Sequence, residues 1–314
     1  MKRFALPFSL VPILLLLAAL SGGCAKREIT INATQREIFP DSSRLVDVYT
    51  AMGSDTLDFG TGRFVENNLS YTGRGGETLN LRVWYPAGQP LDTSKIIMLI
   101  PGYGGGTIQL FPLATEFVRR GFVTAMLSPR GADLNAGLKN DYGVNEPHDA
   151  VDAVNAYARL HNLAKPVVGV FGVSLGGAIA LNMAVEDKRV AAIAVEGLPL
   201  DLETTAKRLF SEEDLNALKS QYAGREAEFR EHSPEMVLKK ALPPIYAIWG
   251  DKDNVVTADE RATLRRMIEI STAASAKEIP GGGHILRYGF PLPLSEARAV
   301  NTGIADFLQM SIRY

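Results

Sequence analysis

Five largely apolar stretches set the rhythm of this chain: Ile96–Ile100, Phe122–Leu127, Val167–Val170, Ala191–Val195 and Ile245–Trp249. Short runs of this kind, bounded by turn residues, have the composition of strands buried on both faces. Leu79–Tyr85 is different. Leu79, Leu81, Val83 and Tyr85 alternate with polar positions until Pro86 stops them, the pattern of a half-buried strand. Between these runs the period lengthens to that of a helix. Ile108–Arg120 places Leu110, Leu113, Ala114, Phe117 and Val118 on one side and is closed by Gly121. Glu146–Leu160 repeats the spacing through Ala150, Val151, Val154 and Ala158, and Thr257–Ile270 is helical in the same way. A short strand at Ala276–Ile279 precedes a final helix, Ser295–Ile312, with Val300, Ile304, Phe307 and Leu308 inward. Strands alternating with helices predict an α/β fold, a mostly parallel central sheet flanked by helices.

Two regions depart from that alternation. Residues 200–242 are charged and helical, with Ser211 placed as an N-cap and Leu215, Leu218 and Tyr222 on one face. Ser233-Pro234 reads as a second N-cap followed by proline at the first helical position. This stretch is expected to be a small helical cap insertion over the strand ends. Residues 24–78 are polar and punctuated by glycine, and are read as an N-terminal tether and leading segment before a domain spanning 79–314. Its first part, to about Phe39, is expected to be a tether or an irregular packed arm.

Composition narrows the class without naming a function. At 314 residues and 46% apolar content the chain can bury a large core, and a net charge of −2 offers no footprint for nucleic acid. Met1-Lys2-Arg3 followed by apolar residues to Leu20 and then Ser21-Gly22-Gly23 has the layout of a signal peptide over residues 1–23. The next residue, Cys24, is the only cysteine, so no internal disulfide can form. The arrangement resembles the lipobox of bacterial lipoproteins, although Ser21 stands where a large apolar residue is usual. The resemblance implies export, lipidation of Cys24 and anchoring in the cell envelope, with Ala25 at the next position favouring the outer membrane facing the periplasm.

The chemistry concentrates where the third apolar run ends. Gly172-Val173-Ser174-Leu175-Gly176 fits G-x-S-x-G, with a strand before it and a small-residue helix after it. A serine on so sharp a turn is exposed at the carboxyl edge of the sheet, and the new helix directs unpaired N–H groups nearby. The alternative is a plain glycine-rich turn, so a base and an orienting acid must be found. The chain has four histidines. His148, His161 and His232 fall on helices or in the charged insertion and are expected to be structural or solvated. His284 follows Gly281-Gly282-Gly283 after a strand, on a loop free to approach the sheet edge. For the acid, Trp249-Gly250-Asp251-Lys252-Asp253 offers two aspartates after a buried strand, and spacing does not choose between them.

The order Ser174, aspartate, His284 and the strand–turn–helix setting resemble the α/β-hydrolase superfamily over roughly Leu79–Ile312. That resemblance implies the α/β-hydrolase fold and a Gly-x-x-Asp-x-x-Val pattern around the acid, which Gly250, Asp253 and Val256 match. Asp253 is therefore expected as the acid, with Asp251 held in reserve and Glu196 third. It also implies an oxyanion hole from the backbone N–H groups of Leu175 and Tyr103. Pro101-Gly102 stands where the superfamily often has His-Gly, and Ser128-Pro129-Arg130-Gly131 where it often has Asp-x-Arg-Gly. The implied activity is a carboxylesterase-like serine hydrolase, cleaving a small-molecule ester or amide through an acyl-enzyme and needing no metal or organic cofactor. A peptidase or acyltransferase on the same fold, or a catalytically silent lipid-anchored binding protein, are the alternatives. Esterase is preferred to peptidase because no recognisable peptide-selecting domain accompanies the core.

Overall fold

The computed structural model describes residues 44–48, 62–86, 91–270, 275–286 and 292–312. Nine strands lie among them: β1 Arg44–Val48, β2 Gly62–Thr72, β3 Thr78–Pro86, β4 Lys95–Ile100, β5 Val123–Leu127, β6 Val167–Val173, β7 Val190–Glu196, β8 Ile245–Gly250 and β9 Ser275–Ile279. The helices are α1 Phe111–Arg119, α2 Glu146–Leu160, α3 Leu175–Glu186, α4 Leu202–Leu209, α5 Glu212–Gln221, α6 Glu226–Glu231, α7 Pro234–Val237, α8 Ala258–Ile270 and α9 Leu294–Ile312.

The strands form one sheet in the order β1-β2-β3-β5-β4-β6-β7-β8-β9. From β5 to β9 every neighbouring pair is parallel, while β1, β2 and β3 join antiparallel at one end. This is the α/β-hydrolase fold, and the apolar runs explain why its centre is parallel. In β4, Ile96, Met98 and Ile100 enter one hydrophobic core while Ile97 and Leu99 enter the other. In β6, Val168 and Val170 join the first core and Phe171 and Val173 the second. A strand that is apolar at every position satisfies both sides only when helices cover both. Residues of α2, α3 and α8 supply one cover, and those of α1 and α9 the other.

Three local readings are corrected. The helix expected from Ile108 begins as a 3-10 turn, Thr107–Leu110, and becomes α-helical only at Phe111, because Pro112 has no N–H to continue an earlier ladder. The leading segment contains β2, eleven residues long and paired with β3 from Phe64↔Pro86 to Thr72↔Thr78. The hydroxyl of Ser233 does not cap α7. It accepts the N–H of Leu202 at 3.1 Å and donates to Asp201 at 3.1 Å, fastening the end of the insertion to its beginning. The insertion itself is helical as expected, formed by α4 to α7, with the Ser211 hydroxyl accepting the Asp214 N–H at 3.1 Å.

The long loop after β5 is tied down by a buried cation. Arg130 donates from Nε and Nη2 to the Asp149 carboxyl on α2, at 2.6 and 2.9 Å, and from Nη1 to Glu77 at 3.0 Å. Both Arg130 and Asp149 are buried. Removing one partner of such a pair leaves the other uncompensated in a low-dielectric setting. Arg130→Met is expected to destabilise the protein by about 3 kcal/mol, read as a lowered urea midpoint.

Candidate active site

At the end of β6 the chain turns directly into α3, and Ser174 occupies the turn with φ 53° and ψ −121°. A non-glycine residue in that region costs on the order of 1–3 kcal/mol and persists only where its surroundings fix it. They do so here by close approach. A Cβ on Gly172 would meet the Gly176 carbonyl oxygen at 2.1 Å, and one on Gly176 would meet the Ile100 and Pro101 oxygens at 2.4 and 2.5 Å. Both are contacts with main chain, which cannot swing aside. The Ser174 N–H donates to the Glu196 carbonyl at 2.7 Å, binding the turn to the end of β7. Ser174 itself is partly exposed.

The histidine and the acid of the sequence reading are brought together. His284 Nδ1 lies 2.9 and 3.1 Å from the two carboxyl oxygens of Asp253. The aspartate side chain is fully buried and the imidazole is 16% exposed. Asp253 Oδ1 also accepts the N–H groups of Val255 and Val256, at 2.8 and 2.9 Å. Burial by itself would raise this carboxyl's pKa. The hydrogen bond and charge of His284, with the two backbone donors, outweigh it and hold the group below the usual aspartate value. The two loops are laced by main chain: Lys252 N–H donates to Gly282 at 2.8 Å and Asp251 N–H to Ile279 at 3.1 Å.

The imidazole lies against Gly197. That residue follows Glu196, has φ 59°, and lies so close that a Cβ on it would sit 2.9 Å from His284 Cε1. The Ser174 hydroxyl makes no hydrogen bond to a described residue. On its other side the loop after β4 closes in. A Cβ on Gly102 would stand 3.3 Å from Ser174 Cβ, and the Gly102 carbonyl accepts the Gly105 N–H at 3.0 Å, placing Tyr103 in the turn. Leu175 opens α3, so its N–H has no carbonyl partner within the helix. The Tyr103 ring, 52% exposed, packs against Tyr142 and Phe210 with centroids 5.2 and 5.0 Å away. Phe210 lies between α4 and α5, so the insertion borders this loop.

The remaining sequence candidates have other partners. Asp251 accepts the Gly281 N–H at 2.7 Å, and the Glu196 carboxyl accepts the Leu286 N–H at 2.6 Å. His148 pairs with Glu186 at 2.5 Å, His161 with the Tyr85 hydroxyl at 3.0 Å, and His232 Nδ1 with the Glu228 carbonyl at 2.7 Å. Cys24 and the signal-peptide stretch lie outside the described residues. Among the described residues no group of three or more His, Cys, Asp or Glu is arranged to hold a metal ion.

One supporting residue escaped the sequence reading. Arg261 of α8 is buried, and it donates to the carbonyls of Val256 at 2.6 Å, Asp251 at 3.2 Å and Asp253 at 3.4 Å. The signal was an arginine at the head of the apolar spacing Arg261, Leu264, Ile268. Because the Asp253 carboxylate is favoured by the fold, the unfolded chain takes up that proton first as pH falls. Its contribution is complete above about pH 4 and lost as pH drops through the lower folded value. Asp253→Asn is expected to lower stability above about pH 4 and so remove that acid step from the stability-versus-pH curve, with the slope of the alkaline side unchanged.

The sequence matches the prolyl oligopeptidase family over residues 110–292, more than half of the chain. The fold is similar to that of an esterase of Pyrococcus furiosus at 14% identity and a TM-score of 0.61, covering 79% of this chain and 93% of that one. A puromycin-hydrolysing peptidase of Mycobacterium tuberculosis aligns at 16% identity and a TM-score of 0.62, over 86% of this chain. An acylaminoacyl peptidase of Pyrococcus horikoshii aligns at 12% identity and a TM-score of 0.63, again over 86% of this chain. The matched part is 46% and 48% of those two peptidases, so this chain spans about half their length. A comparison with curated protein sequences gives no match. With its sheet order and the matched span together, the chain belongs to the prolyl oligopeptidase family, as a serine hydrolase of the α/β-hydrolase fold.

Proposed function

We propose that this protein is a carboxylesterase-like hydrolase that cleaves a small-molecule ester or amide with Ser174 as nucleophile, His284 as base and Asp253 as orienting acid. The observation that carries the reading is the hydrogen bond of His284 Nδ1 to a fully buried Asp253, on a loop packed against the strand end that also holds Ser174. Asp253 faces Nδ1, which assigns the proton to that nitrogen and leaves Nε2 as the base.

In the first step Ser174 Oγ bonds to the substrate's carbonyl carbon as its proton passes to Nε2. The negative charge that forms on the carbonyl oxygen is met by the N–H groups of Tyr103 and Leu175. Asp253 stabilises the imidazolium, which then protonates the departing alcohol or amine as the acyl-enzyme forms. Water, losing its proton to the same nitrogen, attacks the acyl carbon, and the imidazolium returns the proton to Ser174 as the acid is released. All proton and bond changes balance within these groups and the substrate.

The ester reading is supported by a likeness to the Pyrococcus furiosus esterase that runs over 93% of that chain. A peptidase reading is the second, favoured by the family match and by the two peptidase neighbours. Wild-type protein is expected to be labelled by a fluorophosphonate probe and Ser174→Ala to resist it. Unlabelled wild type should hydrolyse p-nitrophenyl esters of short acyl chains faster than aminoacyl p-nitroanilides. Absence of labelling in folded wild type would instead indicate a silent binding protein, and a preference for the anilides a peptidase.

The anchoring expectation stands beside this as a second part of the proposal: export, lipidation at Cys24, and residence in the envelope, in the outer membrane facing the periplasm. Its support is the basic, apolar and small-residue order before the single cysteine. No helix among the described residues is long and apolar enough to cross a membrane. A clickable fatty acid is expected to mark the wild-type protein in cells and to leave Cys24→Ala unmarked.

A further inference from the structure

Glu196 ends β7 with its side chain wholly buried. A carboxyl so placed is costly unless it is engaged, and here it is engaged with the one loop that carries the histidine. Its Oε1 accepts the Leu286 N–H at 2.6 Å, two residues beyond His284. The Leu286 side chain, fully buried, enters the core on the α9 side of the sheet, so the segment is held by both main chain and side chain. The main-chain carbonyl of the same glutamate accepts the Ser174 N–H at 2.7 Å. The next residue, Gly197, lies against the imidazole, leaving 2.9 Å between a Cβ placed there and either His284 Cε1 or the His284 carbonyl oxygen.

One dipeptide therefore touches both sides of the proposed reaction. Asp253 fixes the tilt of the ring through Nδ1, but a single hydrogen-bonded edge leaves the ring free to ride with its loop. Gly197 limits that travel from below, and the Glu196 carboxyl pins the loop from beyond. We propose that Glu196 is a positioning residue, which sets the height of the His284 imidazole relative to Ser174 by accepting the Leu286 N–H. The inference rests on the catalytic reading above, and it assigns Glu196 a role outside the set of three acting groups. It also gives a reason for a glycine at 197: a side chain there would have to displace the ring that the carboxyl holds.

The test uses the full-length protein and three substitutions. Glu196→Gln keeps an acceptor at the Oε1 position. Glu196→Met fills a similar volume and offers none. Glu196→Asp keeps the carboxyl but withdraws it by one methylene. On p-nitrophenyl butyrate, the Met variant is expected to lose about ten- to a hundredfold in kcat with KM within about twofold, since small misplacements of a reacting group cost that much. The Gln variant should retain kcat to within about fivefold, and the Asp variant should fall between. The rate of inactivation by a fluorophosphonate should follow the same order. Ring nitrogen-15 NMR of the histidines, with His284 identified by the signal missing in His284→Asn, reports the ring without turnover. Its Nδ1–H signal should broaden or shift in Met and stay in Gln.

Equal losses in Gln and Met, or a Met variant with the kcat and ring signal of wild type, overturn the proposal. If the Met chain does not fold, Asp against Gln decides in the same way: equal kcat and an unmoved ring signal in both overturn it. If wild type neither turns over the ester nor reacts with the probe, the catalytic reading fails. The ring signal then still judges the positioning role, which stands if Met displaces the signal and falls if it does not.

Discussion

The backbone at Ser174 is the constraint from which the rest of the site follows. A strand buried on both faces must end, and the helix that covers it must begin, within one residue of each other. No ordinary L-residue conformation achieves this, so Ser174 is held at positive φ. The strain is tolerated because the main chain on each side has nowhere else to go: Gly172 abuts Gly176, and Gly176 abuts the end of β4. Substituting a Cβ at either place would drive atoms into carbonyl oxygens. The same crowding orients the first amides of α3 toward the sheet edge and brings the Tyr103 loop against the serine. Packing at the elbow and the geometry of the site are thus one problem with one solution.

How much of this was legible in the sequence depended on whether the information was local. β4 beyond Lys95, β6 and β8 announce themselves because their positions are apolar or glycine, and the helices between them because their buried residues recur at helical spacing. β2 was not read as a strand, although Val65, Leu69 and Tyr71 fall on one parity and enter one core. Asn67 interrupts that parity, and Asn68 and Ser70 fill the other, so the pattern looks like a polar leader until β3 pairs with it. The seryl elbow was legible because its requirements are local: two glycines, a strand before and a helix after.

The acid illustrates the opposite case. Asp251 and Asp253 are two residues apart on one loop, and local spacing treats them alike. The difference arises from β9, whose end runs beside that loop. Asp251 meets the amide of Gly281, while Asp253 turns inward to its own Val255 and Val256 amides and to the imidazole. Which carboxyl faces the ring is a property of two segments some thirty residues apart, laced by the Lys252 and Asp251 amides. Arg261 was invisible for a related reason. An arginine on an apolar face reads as an anomaly until the carbonyls it serves are in place.

A division of labour follows from how firmly each part is built. The sheet, the elbow and the two loops that meet at His284 are joined by main-chain hydrogen bonds and by buried side chains on both faces. The insertion is attached unevenly. Leu202 and Ala206 of α4, Phe229 of α6 and Val237 of α7 enter the core, whereas none of the α5 side chains is buried, and beside the Tyr103 loop the contacts are aromatic: Phe210 on Tyr103 and Tyr142, and Phe229 on Tyr142 and Tyr222. Ring contacts of this kind are worth on the order of 1 kcal/mol each and constrain direction only loosely. Elements with few buried apolar contacts open at lower free energy than the core that carries them. α5, with no buried side chain, is therefore the part of the insertion that can move with least disturbance to the turn at Ser174.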